Sequence, residues 1–196
     1  MRRLLSRLRR DRRGATIIEF AFIAPTMILL IMGLCELTYQ SYVQAILTGA
    51  MQKAGRDSTI QGATNRTAAL DNAVMTMVRT VAHDATFAST RRSYSQFGYI
   101  KPEAFQDNNG NNSYDAATEC FTDVNGNRTW DAEPGINGQG GAGDVVLYTM
   151  TVSYPRLFPM AGLLGWSSTA TIAGSTVLKN QPYAAQNAYT ATQVCP

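Results

Sequence analysis

Histidine, cysteine and catalytic residue patterns are scarce in this 196-residue sequence, and each scarcity argues against a class of protein. The one histidine, His83, has no cysteine or second histidine at metal-ligand spacing, so a zinc site built from those residues is not predicted. No nucleophile accompanies a base in a catalytic constellation, so we expect no enzymatic activity. The length suffices for one compact domain with an appendage.

Charged side chains are also missing from most of residues 15–37, where only Glu19 and Glu36 ionise. As a helix this segment is about 34 Å long, which is enough to cross a hydrocarbon core of about 30 Å. Seven arginines lie within the first thirteen residues, and the positive-inside rule places such a cluster in the cytoplasm. We therefore predict a single-pass protein of the bacterial inner membrane, with its carboxyl-terminal head in the periplasm.

Two other roles for the amino-terminal segment are less favoured. A basic cluster can bind nucleic acid, but here it precedes a membrane-length apolar run, so we expect no nucleic-acid partner. A cleaved secretory signal has an apolar region of about 7–15 residues and a small-residue cleavage site, for which residues 43–45 and 48–50 are loose matches. The apolar run is longer than that, and a helical pattern continues through both matches, which favours a retained segment.

The rest of the chain predicts an α+β fold. Apolar residues at spacings of three and four extend the first helix, as an amphipathic helix, to about residue 57 and predict a second helix over 67–85. Enrichment in valine, tyrosine and threonine predicts strands over 93–100, 144–154 and 167–178, followed by a coil from Asn180. We thus expect a long transmembrane and amphipathic helix and a head over 62–196, which contains a second helix, a small antiparallel sheet and an insert rich in Asn, Asp and Gly.

The segment between the last two predicted strands, PRLFPMAGLLGW at 155–166, is apolar, although its two prolines prevent it from continuing a ladder. Two interpretations of it stay open. The segment is a docking patch for a partner if it is exposed, or a loop folded over the core of the sheet.

A tandem repeat of sixteen residues occupies 105–135 and carries the pattern DxNGN in both copies. Its oxygen-bearing side chains fall at positions 1, 3, 5 and 9 of a tight loop, the arrangement that calcium requires. The pattern resembles the calcium loops of EF-hands and dockerins, and it implies a structural calcium ion in each copy. The candidate ligands are Asp107, Asn109, Asn111 and Asp115 in the first copy and Asp123, Asn125, Asn127 and Asp131 in the second.

The repeat also departs from those calcium loops. Glu119 and Glu133 lie one residue beyond position 12 and are candidate substitutes for its glutamate. The alternative is a pair of Asn-Gly turns between short strands, which explains the glycines without a metal. The departures are Asn112 and Arg128 at position 6, normally glycine, and Thr118 and Pro134 at position 12, normally glutamate.

The three cysteines are divided between the two parts of the chain. Cys35 lies in the apolar segment, whereas Cys120 and Cys195 lie in the head. In an oxidising periplasm the latter two can form a disulfide that closes most of the head, and two unpaired thiols are the alternative.

Glu19 is costly inside a bilayer and needs an explanation. Its carboxylate can reach the interface, belong to a proton path, or pair with a cation of a neighbouring molecule. A cut after Gly14 would supply that cation, because it frees the amine of Ala15 at the start of the apolar helix. Glu19 of the next subunit would then neutralise this amine and fix the register between the helices.

The stretch RRGATIIEFAFIAP at 12–25 resembles the class III signal of type IV pilins and pseudopilins. With the basic leader before it and the continuation to about residue 57, it is more narrowly similar to TadE-like proteins, the minor pilins or pseudopilins of tight-adherence (Flp-type) pilus systems. The resemblance implies that a prepilin peptidase removes residues 1–14 by cutting between Gly14 and Ala15, which is then N-methylated. It also implies that Glu19 is the fifth-position acid of that family and Phe20 its aromatic follower.

The function implied by this resemblance is that of a minor pilin. Its partners would be prepilin peptidase, other pilins or pseudopilins, and the pilus assembly platform. One alternative is an uncleaved single-pass anchor that displays a calcium-stabilised interaction domain in the periplasm. A second alternative is a secreted enzyme released by signal removal, which the lack of a catalytic constellation disfavours.

Overall fold

The computed structural model describes residues 15–58, 67–158, 162, 165–181 and 190–196, so the predicted leader lies outside the described residues. The helices are α1 at Ala15–Ser58 and α2 at Thr67–Arg79. The strands are β1 at Thr86–Tyr94, β2 at Phe121–Asp123, β3 at Ile136–Asn137, β4 at Val145–Pro155, β5 at Thr169–Lys179 and β6 at Thr192–Val194. The predicted α+β class, with a long first helix, a second helix and antiparallel strands, is confirmed.

The described residues form two units, of which the first contains α1 up to Tyr42 together with residues 155–170. Its part of α1 is apolar and open, and the side chain of Phe22 is 81% exposed. The hydroxyls of Thr38 and Ser41 donate to carbonyl oxygens four residues earlier, so the helix satisfies these polar groups itself. Among the described residues, α1 is the one helix long and apolar enough to cross a membrane.

The second unit contains residues 43–154 and 171–196. Here α1 buries Val43, Leu47 and Met51, whose spacing of three or four residues places them on one face. This face lies against β5, where Gly174 permits a close approach: a Cβ built there would stand 3.0 Å from Leu47 Cγ. Gln44 Nε2 also donates to Ala173 O at 3.1 Å, so the helix and the strand are joined by a polar contact as well.

The main sheet has the strand order β3-β1-β4-β5. β1 pairs antiparallel with β4 along its whole length, from Thr86 opposite Ser153 to Tyr94 opposite Val145. β4 buries alternate residues, including Tyr148, Met150 and Val152, so one of its faces forms the centre of the core. A second, two-stranded sheet pairs β2 with β6.

Several predicted boundaries were wrong, although the strands predicted at 144–154 and 167–178 are present as β4 and β5. The second helix ends at Arg79 instead of residue 85. The strand expected at 93–100 overlaps β1 only at its first two residues, and Phe97–Tyr99 form a short 3-10 helix instead. The cause is pairing: β4 holds all nine residues of β1, and a partner over fifty residues away leaves no local signal. The tail expected as coil contains β6, which is too short to show a period.

Candidate functional site

The amino-terminal end of α1 carries the predicted processing and pairing residues. Gly14 lies outside the described residues, and α1 begins at Ala15. Glu19 and Phe20 are both exposed on the first turns of the helix. Within the described part of the chain, no cation pairs with Glu19.

Glu36, at the other end of residues 15–37, differs from Glu19 because its carboxylate has partners. Its Oε1 lies 3.4 Å from Arg156 Nη1, and its Oε2 accepts a hydrogen bond from the backbone N–H of Leu157 at 3.1 Å. Both partners belong to the apolar segment at 155–166. The sequence had not indicated this pair, because the two charges are 120 residues apart along the chain.

The first repeat forms a loop organised by Asp107. Its carboxylate accepts hydrogen bonds from the backbone N–H groups of Gly110, Asn111 and Asn112, at 2.7, 3.2 and 2.8 Å. These bonds, with that from Asn112 foremost, lower the pKa of Asp107. They also hold Asn112 at a φ of 58°, the left-handed conformation in which asparagine is more common than most residues.

The other predicted ligands of the first copy converge on one aspartate. The side-chain amides of Asn109 and Asn111 both donate to Asp115 Oδ2, at 2.6 and 3.0 Å. The structure therefore brings the side chains at positions 3, 5 and 9 together, although the amide N–H groups, and not the amide oxygens, face the carboxylate.

The second repeat reproduces most of these hydrogen bonds at the equivalent residues. Asp123 accepts hydrogen bonds from the backbone N–H groups of Gly126 and Arg128, at 2.7 and 2.8 Å. Arg128 has a φ of 62°, so an arginine is held in a backbone conformation that is uncommon for it. The amides of the second copy's asparagines donate to its last predicted ligand: Asn125 and Asn127 contact Asp131 Oδ2 at 2.8 and 2.6 Å.

The two copies face each other with approximate two-fold symmetry. Phe105 and Phe121, which occupy the same position in the repeat, form an isolated antiparallel bridge. Hydrogen bonds flank this bridge on both sides, from Gln106 N to Cys120 O and from Thr122 N to Ala104 O. Aromatic rings of both copies pack around it, with ring centroids 5.4 Å apart for Tyr114 and Trp130 and for Tyr114 and Phe121, 5.9 Å for Phe105 and Tyr114, and 6.1 Å for Phe105 and Trp130.

Glu119, a candidate substitute at position 12, has another role in this structure. It is fully buried, and its two oxygens accept hydrogen bonds from Asn108 N and Asp115 N at 2.9 and 3.0 Å. It therefore fixes the backbone at both ends of the first loop. Glu133, the other substitute, is exposed and lies 3.9 Å from Arg92 of β1.

Glu103 does for the second loop what Glu119 does for the first. Its oxygens accept hydrogen bonds from Val124 N and Asp131 N at 2.9 and 3.0 Å, so it fixes the backbone at both ends of the second loop. Burial raises the pKa of Glu103 and the nearby aspartates add to this, against the lowering by its backbone hydrogen bonds. Glu103 was not predicted as a site residue. Its spacing from Glu119 equals the sixteen-residue period of the repeat, and this was the signal that could have identified it.

Cys120 and Cys195 form a disulfide with an S–S distance of 2.03 Å and a Cα–Cα distance of 4.2 Å. The bond lies beside the pairing of β2 with β6 and closes a stretch of 75 residues. Cys35, in α1, is a free and exposed cysteine. The disulfide therefore ties the carboxyl-terminal tail to the paired repeats.

The donor atoms of each loop fit a hard cation in type, since each loop offers two carboxylates and two side-chain amides. Within the described ranges, no group of three or more His, Cys, Asp or Glu side chains is placed to hold a metal, because each loop supplies only two carboxylates. A cation would need both amides turned to present their oxygens. The hydrogen bonds already described stabilise the loops without one, so both hypotheses for the repeat remain.

The described residues combine one helix long and apolar enough to cross a membrane with an α+β head, an arrangement that indicates a membrane-anchored protein. Residues 14–56 match the model of the TadE-like protein family, which covers about a fifth of the chain. The match begins at the predicted processing residue and ends within α1, so the resemblance of this segment to TadE-like proteins is confirmed. No curated protein and no solved structure matches this chain. The family match supports involvement in a tight-adherence pilus system.

Proposed function

We propose that this protein is a non-enzymatic minor pilin of a tight-adherence pilus, processed after Gly14 by a prepilin peptidase. The observation that carries the proposal is the coincidence of the TadE-like match at 14–56 with a helix whose apolar side chains are exposed. Such a surface suits lipid before assembly and the helices of other pilins afterwards. The anchor sits in the inner membrane with its amino terminus in the cytoplasm.

Charge gives the processing step a physical consequence. The first thirteen residues carry seven arginines and one aspartate, a net of +6, so the remainder of a chain with a net charge of +3 carries −3. Removing the leader takes away the charges that hold the helix end in the cytoplasm. It also frees the amine of Ala15, which Glu19 of a neighbouring pilin neutralises in the filament.

The mature amino terminus tests the processing step. Mass spectrometry of the protein from its native membrane should find N-methylated Ala15 at the start of the chain. An intact Met1 would refute processing and support the uncleaved anchor. A start near Ile46 or Met51 would instead support a secreted protein.

Substitution of Glu19 tests the pairing step. Glu19→Ala should still insert into the membrane, because it removes a charge from the apolar segment, but it should reduce pilus number strongly. Glu19→Asp is the matched control, since it keeps the charge and shortens the side chain by one methylene. We expect it to retain more piliation than Glu19→Ala, by electron microscopy of cells with equal membrane levels of both variants. Normal piliation of Glu19→Ala would contradict the pairing.

Calcium has a structural role under the same proposal. Each loop takes one ion through the side chains at positions 1, 3, 5 and 9, with the two asparagine amides turned so that their oxygens face it. The ion neutralises the two carboxylates of its loop and stabilises the paired repeats. Glu119 and Glu103 already hold the backbones of the two loops in place. This lowers the entropy cost of ordering the loops when calcium binds. We therefore expect calcium to raise the melting temperature of the head.

A further inference from the structure

The apolar segment at 155–166 is attached to the end of the apolar part of α1. Arg156 and Leu157 bind both carboxylate oxygens of Glu36, at 3.4 and 3.1 Å. The side chains of the ion pair are largely buried, with 20% of Arg156 and 12% of Glu36 exposed. Arg156 Nε also donates to Ser167 O at 2.9 Å, so the same arginine joins the start of the segment to the residue that follows its end. Arg156 and Leu157 are therefore attached to the carboxyl-terminal end of the apolar part of α1.

An apolar groove of about 600 Å³ runs between the segment and the helix. Leu29, Leu30, Leu34 and Leu37 line it from the helix, and Phe158 and Trp166 line it from the segment. At about 1.5 Å per residue, Leu29 to Leu37 covers about 12 Å of the helix axis. This is most of the carboxyl-terminal half of residues 15–37, which corresponds to one leaflet of a bilayer.

The chemistry of the groove favours lipid as its occupant. The sequence has no charged residue between Arg156 and Lys179, and Leu157 and Trp166 are 50% and 63% exposed. The groove is continuous with the exposed apolar side of the helix, including Leu30 and Leu34, that faces lipid when α1 spans the membrane. Tryptophan is enriched at membrane interfaces, and arginine reaches from apolar surroundings to the headgroup region. Arg156 lies 5.9 Å from the Trp166 ring, which places these two residue types together at the end of the span.

We infer that residues 155–158 and 165–168 lie at the membrane interface beside α1, in the head-side leaflet, with lipid acyl chains in the groove and the Glu36–Arg156 pair holding them there. The inference rests on α1 spanning the membrane and not on cleavage after Gly14. An intact Met1 would therefore refute the pilin proposal and leave this inference standing.

Tryptophan quenching tests the inference, because the chain contains only Trp130 and Trp166. The full chain is reconstituted in phosphatidylcholine–phosphatidylglycerol vesicles with bromine on acyl carbons 6 and 7. The variant Trp130→Phe leaves Trp166 as the one fluorophore, and its emission should fall at least about twofold relative to unbrominated vesicles. Trp166→Phe is the matched control, whose remaining Trp130 donates to Glu103 O among the repeats and should be quenched much less.

Two results would overturn the inference. Trp166 that escapes bromine but is quenched by aqueous iodide lies in water, and Trp166 that escapes both quenchers is covered by protein. Arg156→Gln, made in the Trp130→Phe background, tests the ion pair separately. It should lose much of the bromine quenching, whereas the exposed Lys101→Gln in the same background should keep it. Unchanged quenching in Arg156→Gln would show that the pair does not hold the segment.

Discussion

Asp71 joins α2 to the main sheet, and its replacement should destabilise the head. Its carboxylate binds Arg91 of β1 at 2.5 Å and Ser89 of the same strand at 2.9 Å, and it accepts a hydrogen bond from the hydroxyl of Tyr148 on β4. The side chains of Arg91 and Asp71 are 12% and 17% exposed. The arginine also lies 4.2 Å from the Tyr148 ring, so one carboxylate orders groups from both strands.

The expected size of the effect follows from this burial. Removing one partner of a fully buried ion pair costs about 3–5 kcal/mol, and the residual exposure of this pair favours the lower end. For Asp71→Asn we therefore expect a loss of about 3 kcal/mol in the free energy of unfolding. For a domain of this size that is a fall in Tm of roughly 10 °C.

The same cluster predicts a dependence on pH. Burial favours the neutral acid, but hydrogen bonds from Arg91, Tyr148 and Ser89 outweigh it and lower the pKa of Asp71. An acid with a lowered pKa stabilises the fold above its unfolded pKa of about 3.9, and this stabilisation is lost as the pH falls through the folded pKa. The difference between the wild type and Asp71→Asn should thus be full at neutral pH and should shrink in acid.

Near-ultraviolet circular dichroism of the full chain in detergent micelles provides the assay, because it follows the tyrosines of the head. Asp84→Asn, at an exposed aspartate, is the matched control and should melt like the wild type. The reasoning is wrong if Asp71→Asn melts within about 1 °C of this control at neutral pH, where a large shift is expected. A difference that grows in acid would also contradict it.

Two further predictions concern the paired repeats. Calcium at 10 mM should stabilise each loop by about 1.4 kcal/mol if its dissociation constant is near 1 mM. The double variant Asp123→Ala, Asp131→Ala should lose the calcium-dependent stabilisation of the second loop and keep that of the first. If that variant and the wild type respond equally to calcium, the second loop is only a turn. Replacing both Cys120 and Cys195 by serine should cost about 4 kcal/mol, because the closed stretch of 75 residues gains freedom in the unfolded chain. Cys35→Ser is the control, and equal melting of both serine variants would refute the estimate.

Much of the fold could be predicted because its signals are local. The apolar length and helical period of residues 15–57 predicted α1 within one residue of its end at Ser58. Enrichment in valine, tyrosine and threonine placed β4 and β5 within two residues of their observed ends. In each loop the two predicted asparagines meet the last predicted aspartate, because the three residues lie within seven residues of chain. The limits of β1 and the existence of β6 were missed, since both depend on partners distant in sequence.

The sequence by itself therefore determined the membrane-length helix and the two loops of the repeat, both of which are set by spacing along a short stretch of chain. The tertiary structure alone decided which groups neutralise or hold one another. It placed Glu103 on the backbone of the second loop, 28 residues away at Asp131, and it placed Arg156 on Glu36 across 120 residues. The physical reason is that a buried or membrane-bound charge requires a partner in space, and the chain supplies that partner wherever folding brings one near.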